Sequence, residues 1–98
     1  MQDKTTTFDG NGKLIDDAVV TGVTSEDVPK SKITYTYYKD EQCKKKILSY
    51  NSSADKSKIL NKAPTDLGLY YVKAVVAKDT NYLESESNIA KLQIVESL

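Results

Sequence analysis

The chain has 98 residues, enough for one domain with one hydrophobic core. Its 14 basic and 14 acidic side chains cancel to a formal net charge of zero, so no field of either sign is available to attract nucleic acid or an anionic bilayer. No apolar run approaches the ~20 residues of a membrane-spanning helix, so no membrane insertion is expected, and no histidine is present to act as general base or metal ligand.

Taken in order, Met1-Gln2-Asp3-Lys4 lacks an apolar h-region, so these residues are not expected to be a signal peptide. Lys4 to Phe8 is short and rich in β-formers, which suits an opening edge strand. Asp9-Gly10-Asn11-Gly12 then joins two turn dipeptides, each able to supply a residue at positive φ. The same four residues begin like a calcium loop, but such a loop next needs an oxygen ligand and a glycine, and here Lys13 and Leu14 follow. A turn is expected, and no metal.

Ala18 to Val23 is a second β-rich run with Gly22 as a candidate bulge, and the polar stretch from Thr24 to Lys32, broken by Pro29, reads as a loop. Ile33-Thr34-Tyr35-Thr36-Tyr37-Tyr38 carries the plainest strand signal, with Ile33, Tyr35 and Tyr37 on one face and Thr34, Thr36 and Tyr38 on the other. Lys39 to Gln42 is expected to turn the chain into a return strand, Lys46 to Tyr50.

Asn51 to Lys58 is expected to be loop and Ile59-Leu60 a very short strand. Asn51-Ser52-Ser53 matches a glycosylation sequon, which has meaning only in a eukaryotic secretory setting. Pro64, Asp66 and Gly68 punctuate a turn before a strand whose Tyr70, Val72, Ala74 and Val76 alternate onto one face. Asp79-Thr80-Asn81 is another turn, Tyr82 to Ser87 a loop, and Asn88 to Glu96 a final strand with Ala90, Leu92 and Ile94 on one face and Lys91 and Gln93 on the other. Several β runs joined by polar turns imply an all-β sandwich of about six to seven antiparallel strands. The competing fold is a β-grasp, which needs a helix across the sheet; only 83–92 could supply one, and Ser85, Ser87 and Asn88 make it a poor helix.

With those residues in view, Asp66, Gly68, Tyr70 and Val72 resemble the tyrosine corner of immunoglobulin-like sandwiches, in which a tyrosine opening strand F bonds back to the backbone of the preceding corner. Phe8-Asp9-Gly10, the Ile33 to Asp40 run, the Ala63 to Ala77 block (A-P-T-D-L-G-L-Y-Y-V-K-A-V-V-A), Asp79-Thr80-Asn81-Tyr82 and the closing strand together resemble one family. It is the immunoglobulin-like (MBG-like) repeat modules of Gram-positive bacterial cell-surface proteins and large secreted glycosidases. The likeness runs from Thr5 to Val95, and departs from the family where the link from Cys43 to Lys62 is longer than usual. The resemblance implies an immunoglobulin-like β-sandwich spanning 1–98 as a single module of a larger multidomain protein, extracellular, either wall-attached or secreted. It further implies a non-catalytic spacer or accessory role, a monomer, and adjacent domains of the same polypeptide as partners.

Two other roles are weighed against the spacer. Seven tyrosines and no tryptophan could form a platform for a glycan or a host surface protein, and Tyr38, Tyr71 and Tyr82 are the candidate ligand-binding residues. An enzyme is disfavoured: no nucleophile elbow or phosphate loop is present, Glu84 and Glu86 sit in a polar stretch, and no catalytic residue, metal site or cofactor is expected. Cys43 is the single cysteine, so no internal disulfide forms; the Lys44-Lys45-Lys46 run beside it could lower its thiol pKa. Lys4 and Asn88 are placed as the one pair able to form an interstrand isopeptide bond, though neither lies in a motif for it.

Overall fold

The computed structural model describes residues 1–18, 33–76 and 85–97. Its described part is mostly strand, with one short helix. The expected strand at Ala18 to Val23, the loop to Lys32 and the turn at Asp79 to Asn81 lie outside the described residues, apart from Ala18 itself.

The strands are β1 (Lys4–Thr7), β2 (Ile33–Tyr38), β3 (Lys46–Asn51), β4 (Gly68–Val76), β5 (Ser85–Glu86) and β6 (Ala90–Val95). They form one mixed sheet in the order β1-β6-β4-β2-β3, with β5 paired to β4. All neighbours are antiparallel except β1 and β6, which run parallel with Lys4 opposite Leu92 and Thr7 opposite Val95. β5 and β6 follow one another along the same edge of β4. Between them the Ser87 amide donates to the Ala74 carbonyl at 2.8 Å, and the Ala74 amide donates to the Ser87 hydroxyl at 2.9 Å. A hydroxyl thus stands in for a backbone acceptor, and a stretch expected to be loop stays attached to the sheet.

The alternation expected for the three main strands is what buries them. Ile33, Tyr35 and Tyr37 of β2, Tyr70, Val72 and Ala74 of β4, and Ala90, Leu92 and Ile94 of β6 face one common core. The covering layer over this face includes the segment through Ile15 and the one helix, α1 (Lys56–Leu60), which contributes Ile59. Lys56 holds α1 to that segment through a 2.6 Å ion pair with Asp16.

α1 corrects the expectation of loop to Lys58 and strand at Ile59-Leu60. Asp55 caps it, accepting from the Ser57 amide at 3.0 Å, and satisfies a donor that an extended chain would have turned to a neighbouring strand. Five residues are too few for helical periodicity to register, and only Ile59 is buried. Residues 85–92, where a β-grasp needs its helix, are β5, an irregular link and the start of β6.

The turn at Asp9 to Gly12 uses its two glycines differently. Gly10 has φ +82°, as the turn dipeptide implies, and the Asn11 amide donates to Asp9 Oδ1 at 3.0 Å. Gly12 serves close packing instead: a Cβ there would meet the Leu60 carbonyl oxygen and lie 2.8 Å from Ala63 Cβ.

Candidate functional site

The seven tyrosines divide by strand parity. Tyr35, Tyr37, Tyr50 and Tyr70 are buried, Tyr38 and Tyr71 are half-buried on the opposite face of the sheet, and Tyr82 lies outside the described residues.

The buried hydroxyls make a network that alternation alone does not reveal. Tyr37 Oη donates to the Ile15 carbonyl at 2.8 Å, accepts from the Ile15 amide at 2.8 Å, and lies 3.0 Å from Tyr50 Oη. Its one proton is committed to Ile15, so Tyr50 donates the third bond. Tyr35 Oη donates to the Asp16 carbonyl at 2.9 Å and accepts from the Ala18 amide at 3.2 Å. Tyr35 and Tyr50, cross-strand partners, stack with centroids 5.4 Å apart. Burial pushes the Tyr50 phenol up to about 12 and that of Tyr37 higher still. These hydroxyls fasten residues 15–18 to the sheet. The sequence signal was available in the long polar tip of tyrosine at inward positions, where a leucine would have filled space without bonding.

Tyr70 opens the buried face of β4, and its hydroxyl donates to the Asp66 carbonyl at 2.9 Å, the bond expected of a tyrosine at this corner.

On that opposite face, Tyr38 and Tyr71 are register partners, with Lys46 opposite Tyr38 across a bulge and Lys91 opposite Tyr71. The row Lys46, Tyr38, Tyr71, Lys91 crosses four strands. One residue pair along, Lys73 bonds Glu86 at 2.8 Å while Thr36 Oγ1 and Ser49 Oγ lie 3.2 Å apart. Two of the three candidate tyrosines are therefore adjacent, and the sequence reading missed the lysines beside them because register is set by turns rather than by composition.

The chemistry considered for other residues is not assembled. Cys43 sits at φ 58° in the β2–β3 turn, and burial pushes its thiol pKa up; the neighbour that pulls the other way is Lys73, not the adjoining lysine run. Lys4 Nζ donates to the Leu14 carbonyl at 3.3 Å, whereas the Asn88 amide nitrogen donates to the Met1 carbonyl at 3.0 Å, so the pair considered for an isopeptide bond is engaged elsewhere. Glu86 is occupied by Lys73, and Glu84 lies outside the described residues. Asn51 Oδ1 is turned back onto the Ser53 amide at 3.0 Å. Among the described residues no group of three or more acidic, cysteine or histidine side chains could hold a metal ion, and no helix is long and apolar enough to cross a membrane. A depression of about 290 Å³ beside β1 is lined by Lys4, Asp3, Asp16 and Asp17 among others, a mixed-charge surface without an adjacent acid–base pair in an apolar setting. Comparison of the chain with models of known protein families, with curated proteins and with solved structures yields no match.

Proposed function

We propose that this chain is an immunoglobulin-like sandwich module that spaces or supports neighbouring domains of an extracellular bacterial protein, wall-attached or secreted, and carries no catalytic site of its own. The observation that carries this reading is the direction of the first and last described strands. β1 and β6 run parallel, so the chain enters the sheet at one end and leaves it at the other. A polypeptide threaded through such a sheet passes from end to end, which is the geometry of a spacer. The neighbour order β6-β4-β2-β3, the one a G-F-C-C′ sheet would have, and the Tyr70 to Asp66 bond just before β4 support this reading. The core supports the same reading, since it is built of apolar and hydrogen-bonded tyrosine side chains with no buried charged group among the described residues.

The test is small-angle scattering from two copies of the chain in tandem. The molecule measures 44 × 28 × 23 Å. An in-line pair exceeds that 44 Å dimension by at least the ~20 Å length of a six-residue strand. A pair whose maximum dimension stays near that of one copy contradicts the spacer reading.

The adjacency of Tyr38 and Tyr71 favours a second reading, a recognition surface for a glycan or host protein. A glycan-array screen tests it, with loss of saturable binding expected in Tyr38→Ala or Tyr71→Ala; no binding by the parent chain rejects a glycan ligand for this face.

A further inference from the structure

The row Lys46, Tyr38, Tyr71, Lys91 sets two aromatic rings between two cations on the face of the sheet away from the core. β3 enters the row through a bulge at Ile47. Ile47 and Leu48 both pack against the core, so the bulge leaves Lys46 on the same side as Tyr38. Both lysines are exposed, and among the described residues neither ammonium is in an ion pair. Two carboxylates border the row and are held by other groups: Glu86 by Lys73 at 2.8 Å, and Asp3 by the Lys91 backbone amide at 2.8 Å.

The dimensions suit a short stretch of polysaccharide. Tyr38 and Tyr71, as register partners, stand about 5 Å apart, near the length of one sugar unit in an extended chain. The lysines are separated by three interstrand spacings, about 14 Å, near the length of three such units. A pyranose offers its C–H face to a tyrosine ring, and rings already half-buried lose little entropy on binding. Thr36 and Ser49 on one side of the row and Gln93 on the other are placed to meet its hydroxyls. A neutral sugar chain gives the strongly hydrated lysines nothing to pair with. A polyol phosphate supplies charge but no ring to lie on the tyrosines. A sugar ring that itself carries a carboxylate satisfies both.

We propose that this row binds a linear polysaccharide built on uronic acids, its rings lying across Tyr38 and Tyr71 and its carboxylates paired with Lys46 and Lys91. This inference rests on the recognition reading of the same face and names its ligand class.

The test is calorimetric titration of the full chain with polygalacturonate and with hyaluronate, each beside its methyl ester, which keeps the sugar chain and removes the charge. At least one acid is expected to bind, at least tenfold more tightly than its ester, and to weaken as salt rises. Lys46→Gln and Lys91→Gln, at exposed positions, should each lower affinity about two- to fivefold without moving Tm. Lys58→Gln, on the helix that covers the other face, should leave affinity unchanged. Equal affinity for acid and ester overturns the uronate assignment and leaves recognition of a glycan standing. Binding that neither row substitution weakens, or that Lys58→Gln weakens as much, also overturns it. No binding to either acid overturns it as well, and the glycan array then separates the two ideas: a neutral-glycan hit keeps the recognition reading, whereas an array without hits removes a glycan ligand from this face.

Discussion

Replacing Tyr37 with phenylalanine tests the hydroxyl network at its centre. The ring remains, so packing against Tyr50 and the rest of the core is conserved, and only one oxygen is lost. That oxygen is bonded to both the amide and the carbonyl of Ile15 and to Tyr50 Oη. Tyr37 is 0% exposed and Ile15 4%, so water cannot readily replace what is removed. Leaving a buried polar group unsatisfied costs about 1–3 kcal/mol. With two backbone groups stranded and some local relaxation, we expect a loss of about 2–4 kcal/mol, against the roughly 5–15 kcal/mol by which a domain is ordinarily stable. For a chain of this length that lowers Tm by roughly 10–25 °C. Tyr70→Phe, which forfeits one bond to the Asp66 carbonyl at an exposed corner, should cost about 1 kcal/mol. Urea unfolding followed by circular dichroism measures both, with the slope unchanged. A Tyr37→Phe loss below that of Tyr70→Phe refutes the claim that the hydroxyls, rather than the rings, fasten residues 15–18.

Other outcomes follow from neighbouring features. Burial raises the phenol pKa of Tyr50 to about 12, and of Tyr37 above that, relative to an unfolded value of about 10. The unfolded chain therefore loses these protons first. Stability should be fully present below about pH 10 and fall as pH rises toward 12, by up to about 1.4 kcal/mol per pH unit per tyrosine. Tyrosinate absorbance should then appear in step with unfolding, and early, non-cooperative ionisation of these rings contradicts it. Gly12→Ala should destabilise by about 1–3 kcal/mol, because its Cβ would press on the Leu60 carbonyl and Ala63; thermal melting checks this, and an unchanged Tm would mean the α1 end can move aside. Asp40 holds the β2–β3 turn by accepting from the Lys45 amide at 2.7 Å and the Lys44 amide at 2.9 Å, and these bonds keep its carboxyl below the usual range. Its contribution is present above about pH 4 and is lost as pH falls through the lowered value. Asp40→Asn should flatten the acid limb of the stability profile and speed amide exchange at Lys44 and Lys45; an unaltered limb counts against it.

The parts of the fold that period and punctuation control were legible in the sequence. Alternation assigned the buried faces of β2, β4 and β6, because a residue's parity along a strand fixes the side it faces. The corner tyrosine was legible because its turn residues lie within four positions of it. The parts that escaped depend on contacts between distant segments. Nothing local distinguishes α1 from a loop, since a cap at Asp55 and one buried isoleucine make a five-residue helix worthwhile only against residues 15–18. β5 forms because β4 is long enough to offer it an edge and Ser87 bridges the gap. The parallel pairing of β1 with β6 has no local signature at all. For the candidate face, Tyr38 and Tyr71 were readable as outward residues, but their adjacency, and the lysines on either side, came from the register of three strand pairs.

The most direct measurement of the end-to-end arrangement is the distance between spin labels at Gln2→Cys and Ser97→Cys in a Cys43→Ser background. The parallel β1–β6 seam predicts a separation of about 20–25 Å, the rise of the strand residues between those two levels. A distance near 10 Å or less would put the two ends of the chain side by side, and would contradict the spacer geometry.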